Sequence, residues 1–216
     1  MKLNKFLGMS ILITALSPLE SMAAQVFVGN AGFEAVVLSD GAWATGNVPD
    51  WTILGVAGTF NPDSGSMPGG STPEGNNMVF VHGGSLTQTL GTTLTANTTY
   101  TLTMDVIKRS DTIYQSAPYL IELLAGNDVI AQDNNSLAIP SGTWQTSTLI
   151  YDALPGDLLL GSALGIRISG DAQTSFDRVV LDASPVIPTP VPAALPLFAS
   201  ALGWMGFAGW KRKKAA

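Results

Sequence analysis

The chain predicts an all-β domain, a sandwich or a barrel, on three observations. Apolar and polar residues alternate with a period of two along several short segments. Gly, Asn, Asp and Pro cluster between those segments, as turns require. Between the two chain ends, no stretch carries the apolar spacing of an amphipathic helix. Eight or nine short strands within residues 24–184 belong to a sandwich or barrel. No internal repeat is visible, which excludes a solenoid or propeller.

The elements follow in chain order. Residues 1–23 read as a secretory signal: Lys2 and Lys5, the apolar run Phe6 to Leu16, Pro18, then Ser21-Met22-Ala23 before a cleavage point at Ala24. That apolar run is too short for a membrane span, which needs about 20 residues. Trp51, followed by Ile53, starts a strand and is expected in the core. The stretch Asn61 to Asn77 holds Pro62, Gly65, Pro68, Gly69, Gly70, Pro73 and Gly75, a long loop of the kind that often carries function. Met78–Val81 and Ser85–Leu90 read as two strands. Tyr100, Leu102, Met104 and Val106 alternate with Thr101, Thr103 and Asp105. Tyr119–Leu124 and Val129–Gln132 flank Ala125-Gly126-Asn127-Asp128, a hairpin signal. Trp144–Tyr151, with Trp144 expected in the core, Gly165–Ser169 and Phe176–Leu181 complete the set.

The C-terminus is organised differently. Residues 185–192 are Pro-rich and uncharged, a stiff spacer. Residues 193–210 carry no charge and span roughly 27 Å as a helix, enough for a thin bilayer. Lys211, Arg212, Lys213 and Lys214 open the basic tail 211–216, which stays on the cytoplasmic side and leaves the folded part outside.

Composition excludes several classes. There is no cysteine, so neither a disulfide scaffold nor a thiol nucleophile is available. The region between the ends holds four basic residues against fifteen acidic, a net charge of −11. Such a surface disfavours nucleic acid and suits divalent cations and neutral glycans.

Two resemblances add expectations. Val191-Pro192-Ala193-Ala194-Leu195-Pro196-Leu197-Phe198, an apolar helix and Lys211 to Lys214 together resemble a PEP-CTERM-type sorting tail, with Pro-Ala-Ala where the eponymous triplet has Pro-Glu-Pro. That resemblance implies signal peptidase and an exosortase as processing partners. It also implies export through the inner membrane of a Gram-negative bacterium to the cell surface or exopolysaccharide matrix. Asn30-Ala31-Gly32-Phe33-Glu34 near the mature start, Pro49-Asp50-Trp51, and Phe176-Asp177-Arg178-Val179 near the end resemble the galactose-binding-like jelly roll of family 4 and 9 carbohydrate-binding modules. That resemblance implies a jelly-roll sandwich and a structural Ca²⁺ near Glu34 and Asp177. Calcium takes six to eight oxygens, which carboxylates and turn carbonyls supply.

Candidate ligand residues follow from sugar chemistry. Sugar rings pack on aromatic faces while polar neighbours bond the hydroxyls. Trp43, in a Gly-flanked segment read as a loop, and Tyr114 with Asp111 are the expected set. His82 is the single histidine and reads as a turn residue. No nucleophile elbow accompanies it, and no spacing marks a carboxylate pair for glycoside hydrolysis. The expectation is a non-catalytic protein of the exopolysaccharide or biofilm matrix, binding carbohydrate through its jelly roll. Its alternatives are an adhesive envelope protein with protein partners and an extracellular polysaccharide hydrolase.

Overall fold

The computed structural model describes residues 23–63, 71–108 and 118–186. All regular structure among them is β. The strands are β1 (Ala24–Val26), β2 (Trp43–Thr45), β3 (Thr52–Phe60), β4 (Met78–Thr93), β5 (Thr98–Ile107), β6 (Tyr119–Ala125), β7 (Asp128–Asn134), β8 (Gln145–Ala153), β9 (Ala163–Gly170) and β10 (Thr174–Pro185). They pair antiparallel in the order β7-β6-β9-β4-β10-β5-β8, with β1 on β10 and β2-β3 on β4. The sheet folds back on itself as a jelly-roll sandwich close to a barrel.

Strand β4 makes the fold possible. Its first half pairs with β10 and its second half with β9, so it passes from one layer to the other. The passage is a bulge. Gly84 faces Gly55 and Val81 faces Ala57, so three steps along β4 match two along β3. Only glycine fits there: a Cβ on Gly84 would lie 2.4 Å from the Leu54 carbonyl oxygen. Gly83 and Gly55 also adopt positive φ, 67° and 83°. The bulge flips the alternation. Val79 and Val81 face the core before it, Leu86 and Leu90 after it.

A second bulge lies in β10, where Asp177 faces Asp105 and Val180 faces Thr103. Arg178 takes the extra step with φ 47°. Phe176, Val179 and Leu181 therefore all reach the core despite their broken spacing. The core between the layers also holds Phe33, Leu102, Met104, Val106, Ile121, Leu123, Ile166 and Ile168. Trp51 joins it as expected, its ring 5.7 Å from that of Phe33.

Three expectations change. Met78–Val81 and Ser85–Leu90 are one continuous strand, because the glycine bulge bends β4 without ending it. Trp43 lies in the short strand β2 rather than in a loop, since its backbone pairs with Phe60. Trp144 is half-buried against the small cluster Met78–Ile107, outside the main core. The signal segment 1–22, the sorting helix 193–210, and Tyr114 and Asp111 lie outside the described residues. So do the sorting residues Val191, Pro192, Ala193, Ala194, Lys211, Arg212, Lys213 and Lys214. Among the described residues, no helix is long and apolar enough to cross a membrane.

Candidate functional site

The sheet formed by β2, β3, β4, β10 and β5 has a second apolar face, turned away from the core. Antiparallel partners point to the same side, so the register spells out this face. One row runs Thr45, Gly58, Phe80, Ser175, Ile107. The next runs Trp43, Phe60, Met78. Gly58 is the low point: a Cβ there would lie 2.8 Å from the Phe80 ring and 2.2 Å from the Ala44 carbonyl oxygen.

A cavity of about 440 Å³ opens on this face, lined by Gly41, Trp43, Thr45, Val56, Phe60, Asp63, Phe80, His82, Gln173 and Ser175. Its volume suits a small organic molecule. Trp43, Phe60 and Phe80 supply aromatic walls. His82 and Asp63 supply groups that exchange protons, and Gln173 and Ser175 add hydrogen-bonding capacity. The expectation for His82 is thereby corrected. It sits in mid-strand on the cavity wall, because Met78, Phe80 and His82 share the face opposite Val79 and Val81. Trp43, the first residue of the expected ligand set, does line this cavity.

The second cluster gathers at one end of β10. Asp177 is fully buried. Its carboxylate accepts the N–H of Glu74 at 2.9 Å and of Arg178 at 2.7 Å. Burial pushes Asp177 up to about 7; those two N–H groups oppose the rise, and the charges of Glu74 and Glu34 add to it. Directly opposite stands Asp105, also buried, ion-paired to Arg178 at 2.6 Å and accepting the Thr146 hydroxyl at 2.6 Å. Glu34 accepts the N–H groups of Asn76 and Asn77, at 2.9 and 2.6 Å. Asn77 donates its side-chain amide to the Val36 carbonyl at 2.8 Å, while its buried Oδ1 has no hydrogen-bond partner.

Segment 74–77 therefore ties Glu34 at the chain start to Asp177 near its end. No group of three or more acidic or histidine side chains among the described residues forms a metal site by itself. Of the site residues that sequence reasoning missed, Phe60, Phe80 and Ser175 above all, Phe80 alone has a local signal. Residues 78–81 are apolar without alternation, which marks a strand covered on both faces.

Comparison with known proteins bears on this geometry. A family model described as HpiC1-like, HpiC1 cyclase, matches residues 24–182. A crystal structure of a Stig cyclase, Fisc, from Fischerella sp. TAU in complex with (3Z)-3-(1-methyl-2-pyrrolidinylidene)-3H-indole superposes with a TM-score of 0.70 at 29% identity, covering 77% of this chain and 100% of that one. A cyclase from Fischerella sp. TAU in complex with 4-(1H-indol-3-yl)butan-2-one gives 0.68 at 29% identity, with the same coverage of 77% and 100%. No curated protein matches. A family 4 carbohydrate-binding module aligns at 19% identity over 74% of this chain and 99% of that one; its TM-score of 0.43 is too low to bear on the ligand.

These matches overturn several expectations. The chain is similar to cyclases, so the non-catalytic matrix protein, the adhesive protein and the polysaccharide hydrolase all give way to a catalyst of small-molecule chemistry. The recognition as an exosortase-sorted protein with a carbohydrate-binding jelly roll gives way with them, and so do exosortase and polysaccharide as partners. The physical reason is plain. The opening Phe33-Glu34 and the closing Phe176-Asp177 are residues of the jelly-roll scaffold, and a scaffold does not specify its ligand.

Proposed function

The chain belongs to the HpiC1-like cyclase family, and from that premise we propose that it closes a ring on an indole-bearing small molecule held in the cavity of β2, β3, β4 and β10. The observation that carries this reading is the aromatic lining of a cavity of about 440 Å³ in which His82 and Asp63 also stand. Trp43, Phe60 and Phe80 would hold a flat aromatic ring through their faces and edges. His82 and Asp63 would deliver and remove the proton that a ring closure across an unsaturated bond demands. Exclusion of water by the apolar walls would strengthen those polar contacts.

The test is direct. Purified protein is incubated with 3-substituted indoles that carry an unsaturated side chain, and products are followed by liquid chromatography and mass spectrometry. A product isomeric with its substrate, lost on His82→Ala, supports the reading. Turnover unchanged in both His82→Ala and Trp43→Ala overturns the placement of the site, and no product from any such indole overturns the substrate class.

Calcium belongs to the same proposal. Glu34 and Asp177 would hold it, with Asn77 Oδ1 as a third donor. The residues fit, because a buried acceptor without a partner and a buried carboxylate among like charges both call for a cation. When bound, the ion supplies charge neutralisation that locks segment 74–77 to β10. At a hundred-fold excess over its Kd, calcium should raise Tm by roughly 5–10 °C. Residues 1–23 are proposed to direct export; N-terminal sequencing of protein from the envelope fraction would test it.

A further inference from the structure

Among the described residues that line the cavity, Ser175 is the one with a buried side-chain polar atom that lacks a hydrogen-bond partner. It is fully buried, and its Oγ lacks a hydrogen-bond partner among the described residues. Of the other polar side chains on the wall, Asp63, His82 and Gln173 each have an interaction of their own, and Thr45 is exposed. In register, Ser175 stands between Phe80 and Ile107, two apolar neighbours that offer it no partner. A buried polar atom without a partner is costly and rare in native structures. At the wall of a ligand-sized cavity, a ligand atom completes it.

We propose that Ser175 Oγ is the substrate's polar anchor and bonds the ring nitrogen. The assignment rests on the indole reading above and deepens it. The two ligands seen in the cyclase relatives present that nitrogen in opposite states, carrying hydrogen in the 1H-indole and bare in the 3H-indole. A hydroxyl suits both, since it accepts from N–H and donates to a bare nitrogen by rotating one bond. A carboxylate accepts only, and an ammonium donates only. Ser175 thus keeps one contact while the ring changes its hydrogen-bonding character, and it orients the ring between Phe80 and Trp43.

The experiment measures binding of two probes to the full chain by titration calorimetry: 4-(1H-indol-3-yl)butan-2-one and its benzothiophene isostere, in which sulfur replaces N–H. The wild type should bind the indole about ten-fold more tightly than the isostere, the worth of one buried hydrogen bond. Ser175→Ala should bind both equally, at the weaker level, while Ser175→Thr should retain a preference for the indole. An equal preference for the indole in wild type and Ser175→Ala overturns the anchor and leaves the cavity reading intact. Failure of the wild type to bind either probe overturns the indole reading, and the anchor with it. Comparison of the two probes on one protein keeps the result independent of any change in stability.

Discussion

Asp177 shows how one side chain joins folding to chemistry. Its carboxyl, pushed up to about 7 by burial, stays protonated in the folded chain at pH values where an unfolded Asp has already ionised. The folded state therefore binds more protons between about pH 4 and pH 7, and stability falls as pH rises through that window, by up to about 4 kcal/mol. Thermal melts in chelator should show this decline, and Asp177→Asn should flatten it. Calcium should cancel it too, since a cation favours the ionised form. Melts of the wild type in chelator that do not vary between pH 4 and 7 would contradict the assignment. That Glu34 and Asp177 come near each other was legible from their motifs, whereas the environment of Asn77 was not. Nothing in a loop asparagine announces that its Oδ1 is buried without a partner.

At the scale of elements, the bulge of β4 sets the site. Met78, Phe80 and His82 share the cavity side, and Val79 and Val81 the core side, only as far as Gly83-Gly84. Beyond it, even-numbered residues turn inward: Leu86, Gln88 and Leu90. Buried Gln88 then clamps the N-terminal turns. It accepts the Gly29 N–H at 2.8 Å and donates to the carbonyls of Gly29 and Asp50 at 2.9 and 3.1 Å. Gly84→Ala should cost about 2 kcal/mol or more, because its Cβ has no place beside Leu54 and Val56. A denaturant melt checks the cost, and ligand titration should show weakened binding as Phe80 shifts. Short alternating segments on either side of the glycines were readable as strands. Their union into one strand was not, since a Gly-Gly step reads equally as a turn.

For the whole molecule, the question is what joins the two layers at the far edge, where β7 and β8 do not pair. Asp133 of β7 does so. It accepts the Ser147 hydroxyl of β8 at 2.6 Å, the Tyr119 hydroxyl of β6 at 2.9 Å and the Ser136 N–H at 2.9 Å. Tyr119 in turn accepts the Leu137 N–H at 3.0 Å. Burial works to raise the Asp133 carboxyl, yet the bonds from Ser147, Ser136 and Tyr119 outweigh it and hold the group below its ordinary value. Burial pushes Tyr119 up to about 12, aided by the neighbouring carboxylate. Asp133 therefore stabilises the fold above the usual carboxylate pKa, and the gain disappears as pH falls through its lowered value. Asp133→Ala strands two buried hydroxyls and should cost about 3 kcal/mol or more in a chemical melt. Retention of wild-type stability would show that the layers are joined by apolar packing alone.

By itself the sequence determined the β class, most strand positions, the core alternation of β5 and the hairpin of β6 and β7, because each depends on neighbours two residues apart. It also placed Glu34 and Asp177 in one motif set. Tertiary structure alone decided which face holds the cavity, that His82 and Ser175 line it, and that Asp177 opposes Asp105. Those facts follow from cross-strand register and two bulges, which bring together residues nearly a hundred positions apart and leave no local periodicity to read.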